Sequence, residues 1–95
     1  MLSRPGLLEA ANRHPDVRDQ CLAWYGTARR ADWRGLNEVR KQFPTADQVG
    51  DVLIFNLKGN RYRLITQVNY RRQRIYIRGL LTHAEYDRKE WLKWA

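Results

Sequence analysis

The spacing of apolar residues in this 95-residue chain changes at Val52, and that change sets its fold class. Beyond it, Val52 to Leu57, Arg61 to Tyr70 and Gln73 to Leu81 are rich in the β-branched and aromatic residues that suit a pleated surface. The breaks between these runs are short. Lys58-Gly59-Asn60 separates the first two, and its Gly59-Asn60 pair supplies the backbone that tolerates positive φ in a tight hairpin. Arg71-Arg72 is poor chemistry for a two-residue turn and predicts a slightly longer loop. Three strands joined so closely pair as an antiparallel meander. If Tyr70 and Gln73, or Asn69 and Arg74, close the second hairpin, then Val68 meets Ile75, Thr66 meets Ile77 and Tyr62 meets Leu81 on an apolar face. The opposite face pairs Asn69 with Arg74, Gln67 with Tyr76, Ile65 with Arg78 and Arg63 with Leu80, with Arg61 beside them. This alternation predicts a sheet covered by helices on one side and open on the other, the open side carrying the arginines.

Helical spacing occupies the first half. Pro5 and Gly6 precede Leu7, Leu8 and Ala11, a short pattern that should stop near His14, because the residue before Pro15 is pushed out of the helical region. Asp16 then precedes Val17, Cys21, Trp24, Tyr25 and Ala28, which lie on one stripe of a helix of about four turns. Asp32 is a plausible cap for a third piece in which Trp33, Leu36, Val39 and Phe43 share a face and Pro44 ends the run. Thr45 to Gly50 reads as a loop. Thr82-His83-Ala84-Glu85 fits a capping box, so a last helix should begin at His83 and hold Trp91, Leu92 and Trp94, aromatics that dock a helix on its own domain or meet a partner protein. The expectation is an α+β fold, one domain over residues 1–95, too short for two cores.

Charge narrows the function. The net charge of +8 comes almost wholly from the second part: residues 1–51 carry 8 basic and 7 acidic side chains, residues 52–95 carry 10 and 3. Between Val52 and Ala84 no acid occurs, while Lys58, Arg61, Arg63, Arg71, Arg72, Arg74 and Arg78 all fall there. A solvated surface normally mixes both signs, so this block points to a polyanion; the bland alternative is a basic face with no ligand. No run is apolar enough or long enough to span a bilayer, and the N-terminus has no signal-peptide stretch, which places the chain in the cytoplasm with no membrane partner. One cysteine, Cys21, precludes an internal disulfide and reads as core filler; two histidines, His14 and His83, are too few for a zinc set, so no metal and no cofactor is expected.

RNA can be cut without a metal when its own 2′-hydroxyl attacks the neighbouring phosphate, which requires a base, cations and an acid for the leaving oxygen. Arginine grips phosphate through two parallel hydrogen bonds but stays protonated, so another group must move the proton. His83 is the candidate base. It follows the strand bearing Arg78, at the first position of the last helix, where the positive dipole end disfavours imidazolium and a nearby phosphate would favour it. Its plainer role would be a capping or surface histidine. Lys58 is a second proton-transfer candidate, because its surroundings can tune it. Tyr86, one turn beyond His83, could donate a proton, stack on a base or simply pack. Arg61, Arg71, Arg72, Arg74 and Tyr76 complete the RNA-binding candidates. His14, far in the chain from the basic block, reads as structural.

The run Phe55-Asn56-Leu57-Lys58-Gly59-Asn60-Arg61-Tyr62-Arg63-Leu64-Ile65, with Ile75-Tyr76-Ile77-Arg78 and Thr82-His83-Ala84-Glu85-Tyr86-Asp87, resembles the HigB-type toxins of bacterial toxin-antitoxin systems. His14-Pro15-Asp16, Trp24-Tyr25, Ala31-Asp32-Trp33 and Gln42-Phe43-Pro44 extend the likeness over nearly the whole chain. The resemblance implies a RelE-like fold: a three- to four-stranded, mainly antiparallel sheet, N-terminal helices on one face and a short C-terminal helix. It also implies translation-dependent cleavage of mRNA in the ribosomal 30S A site, and neutralisation by a HigA-like helix-turn-helix antitoxin through whose complex alone operator DNA is bound. In the wider group the arginine of a Tyr-Arg-Leu stretch contacts the reacting phosphate, which carries over to Tyr62-Arg63-Leu64 and puts Arg63 first among the catalytic candidates, before His83, Arg78 and Lys58. Relatives usually open with a strand before the first helix, so the fourth strand is expected to be stubby, or the true start to lie upstream. The tail from Arg88 to Ala95 has no counterpart in the family pattern. A ParE-like toxin that binds DNA gyrase without catalysis, or a plain RNA-binding module, is the competing reading. The arginine and the histidine together argue against the first, and a cut product would exclude the second.

Overall fold

The computed structural model describes residues 7, 9, 12–59 and 61–95. Four antiparallel strands form one sheet in chain order: β1 Asp47–Val49, β2 Val52–Leu57, β3 Tyr62–Asn69 and β4 Arg74–Thr82. The three expected runs are all strands. The fourth comes from Thr45 to Gly50, read as loop, because a polar three-residue edge strand shows no alternation to detect. An opening strand before the first helix would fall in residues 1–6, outside the described residues, as do Leu8, Ala11 and Asn60.

Residues 7, 9, 12 and 13 are helical and His14 is not, as Pro15 requires. A short 3-10 turn, Pro15–Val17, leads into α1, Arg18–Ala28, which buries Cys21, Trp24 and Ala28. Helix α2, Leu36–Gln42, starts later than expected: Gly35 is its N-cap, Asp32 caps nothing, and the Glu38 carboxylate accepts from the Arg34 N–H instead. Helix α3 is short, His83–Asp87, opened by the full Thr82/Glu85 capping box. It does not carry the tryptophans. Lys89 adopts φ 60°, a left-handed residue that breaks the helix, and a separate 3-10 turn, Glu90–Trp94, follows.

Phe55, 1% exposed, anchors the helix-side core, with ring centroids 5.1 Å from Trp24, 5.1 Å from Phe43 and 6.0 Å from Trp33. Leu53, Leu57, Leu64, Val68 and Leu80 pack into the same cluster. Burial pushes the Cys21 thiol up to about 11, which leaves it an inert filler.

The other face was expected to stand open. It does not: Val52, Ile54 and Ile65 are buried there by Trp91, with Leu81, Tyr86 and Trp94 around them. The tail is fastened beyond that cluster, since the Gln67 side chain donates to the Trp94 carbonyl at 3.0 Å and a Cβ built on Gly50 would meet the Ala95 backbone at 3.0 Å. Strand β2 is thus covered on both sides, and only the remainder of the face is left to the cations.

The β3–β4 register matches expectation from Thr66 to Asn69 and slips beyond it. Ile65 pairs with Gly79, Arg63 with Leu81 and Tyr62 with Thr82, in place of Arg78, Leu80 and Leu81, because the ladder shifts between Ile65 and Thr66. Arg78 is the extra residue of a β-bulge, and Gly79, lacking a side chain, fills the second bulge position without crowding the buried Ile65.

Candidate functional site

Arg63 points away from the helix-side core, its cross-strand partner Leu81 standing two residues before His83. Its guanidinium carbon lies 5.2 Å from the Tyr86 ring centroid, and one of its nitrogens donates to the Tyr62 carbonyl at 3.4 Å. Tyr86 stands three residues after His83 in α3, so both side chains leave the same side of one helical turn. The His83 N–H donates to the Arg61 carbonyl at 3.0 Å, which ties the start of α3 to the start of β3. Arg63, Tyr86 and His83 therefore share one end of the sheet.

The setting of His83 differs from expectation. A five-residue helix adds up few peptide dipoles, whereas Asp87, one turn on, puts a carboxylate oxygen 3.3 Å from His83 Nε2. That proximity lets Asp87 orient the ring through Nε2, and a neutral imidazole so oriented would keep its lone pair on Nδ1. Asp87 escaped notice as a partner, although its spacing of four from His83 was the available signal.

Lys58 and Arg61 lie at the same end but serve a different anion. The acid-free stretch gains an acid from elsewhere in the chain. Asp16 accepts from the Tyr62 hydroxyl at 3.0 and 3.1 Å, lies 3.6 Å from Lys58 Nζ and 4.0 Å from an Arg61 nitrogen, and its carbonyl takes a hydrogen bond from Lys58 at 3.2 Å. Arg61 therefore turns to this cluster rather than lying with Arg63 on the sheet face. His14 is close in space although remote in sequence, its ring 5.0 Å from that of Tyr62. Neither contact was readable from sequence, because a separation of 46 residues between Asp16 and Tyr62 leaves no local pattern.

The Tyr62 hydroxyl bond, followed by the Lys58 ammonium, holds the Asp16 carboxyl below its usual range, and the same bond raises the Tyr62 phenol. A carboxylate depressed on folding stabilises the native state above its unfolded pKa of about 4, and the contribution disappears as pH falls through the lower folded value. Asp16→Asn should therefore melt lower than the parent at neutral pH and close the gap as pH drops below about 4. Thermal melts of both proteins across that range check this; parallel curves would mean that Asp16 contributes no charge-linked stability.

The remaining cations are spread out. Arg78 donates to the Gln67 side chain and lies 5.8 Å from the Tyr76 ring centroid, past the tail. Gln67 is four residues from Arg63, roughly 13 Å along the strand. Arg71, Arg72 and Arg74 surround the β3–β4 turn at the far end, roughly 20 Å along β3 from Arg63. There the Arg72 N–H donates to the Asn69 side chain at 3.1 Å, and Arg74 borders a cleft of about 220 Å³ with Tyr25, Trp33 and Tyr70. The structure therefore assembles Arg63, His83 and Tyr86, with Lys58 and Arg61 beside them, and separates Arg71, Arg72 and Arg74 from that group. Among the described residues, no three His, Cys, Asp or Glu side chains come together in a way that could hold a metal ion.

An end of the sheet that presents a guanidinium, an imidazole and an ammonium can bind a phosphodiester and move protons around it. The chain is 27% identical over 90 residues to the mRNA interferase toxin HigB of Escherichia coli (strain K12), covering 92% of this chain and 86% of the relative. It is equally similar to the mRNA interferase HigB of Shigella flexneri, and 24% identical over 91 residues to that of Escherichia coli O6:H1, covering 93% and 88%. The family model for HigB toxins, the RelE-like toxic component of a toxin-antitoxin system, matches residues 17–89. With all four strands and the Arg63–Tyr86–His83 end inside that span, this chain belongs to the HigB toxin family.

Proposed function

We propose that this toxin is an endoribonuclease that cleaves mRNA on the translating ribosome by attack of the 2′-hydroxyl on the adjacent phosphate, with no metal taking part. The names of its relatives support the substrate, mRNA. The observation that carries the mechanism is the Arg63 guanidinium resting 5.2 Å from the ring of Tyr86, one helical turn from His83. In this reading Arg63 binds the scissile phosphate through paired hydrogen bonds and neutralises the charge that builds on it. His83 Nδ1, with Asp87 on the other ring nitrogen, takes the 2′-hydroxyl proton. The 2′ oxygen bonds to phosphorus, the bond to the 5′ oxygen breaks, and Lys58, exchanging its Asp16 contacts for the RNA, supplies the proton that leaves with it. Arg61, Arg71, Arg72, Arg74, Arg78 and Tyr76 hold the flanking RNA, with the far-end arginines on nucleotides away from the cut. A HigA-like antitoxin neutralises the toxin, operator DNA is bound only through their complex, and the action is cytoplasmic. No helix among the described residues is long and apolar enough to cross a membrane.

Mapping transcript ends after brief expression, with translation running or blocked, tests this directly. Cuts inside coding regions that vanish when translation stops are expected; growth arrest without new ends would refute the reading. His83→Gln should lower the cleavage rate by about 10²–10⁴-fold, the usual contribution of a positioned base, with melting temperature and antitoxin binding preserved. Toxicity equal to the parent's would remove His83 from the mechanism.

A further inference from the structure

Residues 90–95 lie beyond the stretch that the family model matches, yet they reach the candidate site. The Trp91 ring stacks on that of Tyr86 at 5.1 Å between centroids and 5° between planes, and its indole N–H donates to the Tyr86 carbonyl at 3.0 Å. Trp91 is 5% exposed, packed with Val52, Ile54 and Ile65. Tyr86 in turn carries the Arg63 guanidinium. The Tyr86 ring thus contacts both a buried indole and a half-buried guanidinium, and Ile65, two residues from Arg63 on the same face of β3, is sealed by the same indole.

We propose that Trp91 is a positioning residue for Arg63, acting through the Tyr86 ring, and that Tyr86 works by its ring rather than its hydroxyl. An arginine has several rotatable bonds, and a half-buried one such as Arg63 still has several rotamers open to it. An aromatic plane held from behind selects the rotamers that lay the guanidinium over it, through the ring quadrupole and the apolar fit. Tyr86 is itself fixed twice, by its place in a capped helix and by the indole beneath it. Trp91 does not touch RNA in this account. Its loss leaves the cation present but spread over unproductive geometries, which lowers the rate at saturation more than the affinity.

The inference rests on the assignment of Arg63 to the scissile phosphate, and the tests keep the two apart. Single-turnover cleavage on translating ribosomes is measured for Trp91→Leu, Trp91→Phe, Tyr86→Leu, Tyr86→Phe and Arg63→Ala. Trp91→Leu, which keeps an apolar filler without a ring, should lower kcat on the order of 10- to 100-fold with KM within about threefold. Trp91→Phe should recover most of that loss, and Tyr86→Phe most of the loss caused by Tyr86→Leu. If Trp91→Leu unfolds, Tyr86→Leu decides the matter, because it leaves the buried indole cluster in place and must show the same fall in kcat. A folded Trp91→Leu with parental kcat, or a Tyr86→Phe as impaired as Tyr86→Leu, overturns the proposal while an inactive Arg63→Ala keeps the nuclease reading. A fully active Arg63→Ala sinks that reading itself.

Discussion

Arg63→Ala should reduce RNA cleavage by about 10²–10³-fold, the effect expected when a charge-stabilising donor is removed from an active site. Its thermal stability should change little. Arg63 is only partly buried and lies outside the helix-side core. Growth arrest on expression and cleavage with purified components both read the result. A lysine at the same position should recover only part of the loss, because an ammonium supplies the charge without the planar fork that fits two phosphate oxygens. Strong loss in Arg63→Ala together with a collapsed melting temperature would make Arg63 structural instead.

The largest effect on stability should come from Phe55→Ala. Phe55 touches Trp24, Trp33 and Phe43, which links α1, the segment between the helices and the end of α2 to the middle of the sheet. Truncating a buried phenylalanine costs about 3–5 kcal/mol, since three surrounding rings cannot collapse into the space it leaves. Domains of this size have about 5–15 kcal/mol in total. The melting temperature should fall by roughly 15–30 °C, on the scale of about 4–8 °C per kcal/mol for a domain near 100 residues. A denaturant melt shifted by less than about 1 kcal/mol would place Phe55 outside the core that organises the fold.

Residues whose partners lie close in sequence, or that repeat with a clear period, announced their structure. The three long strands, the stop before Pro15 and the Thr82/Glu85 cap belong to this group. Two features were written in the chain but needed a different reading. Val52-Leu53-Ile54-Phe55 is apolar without alternation, the signature of a strand buried on both faces, and it implied a cover for the second face that the tail tryptophans provide. Gly79, amid bulky strand residues, marked the bulge that shifts every pair from Ile65 to Tyr62. Asp16 gave no such sign. Its partners Lys58 and Tyr62 are 42 and 46 residues away, and only the packing of the first turn against the β2–β3 hairpin brings a carboxylate to a stretch that contains none. The candidate site was legible to the same extent: Arg63 and His83 fall at one end of the sheet, while the even cationic face expected from alternation is broken into two ends by the buried tail.

In the proposed mechanism Arg63 and His83 act on the same phosphodiester in the same step. A double-mutant cycle on the cleavage rate measures this, using Arg63→Ala, His83→Gln and the pair, with Arg71→Ala combined with each as a distant control. Groups that serve one transition state are strongly non-additive, so the pair should be little slower than the worse single variant, whereas each Arg71→Ala combination should show multiplied losses. Multiplied losses for Arg63→Ala with His83→Gln, like those of the control, would mean that the two side chains work independently and that the sheet end described above is not a single catalytic site.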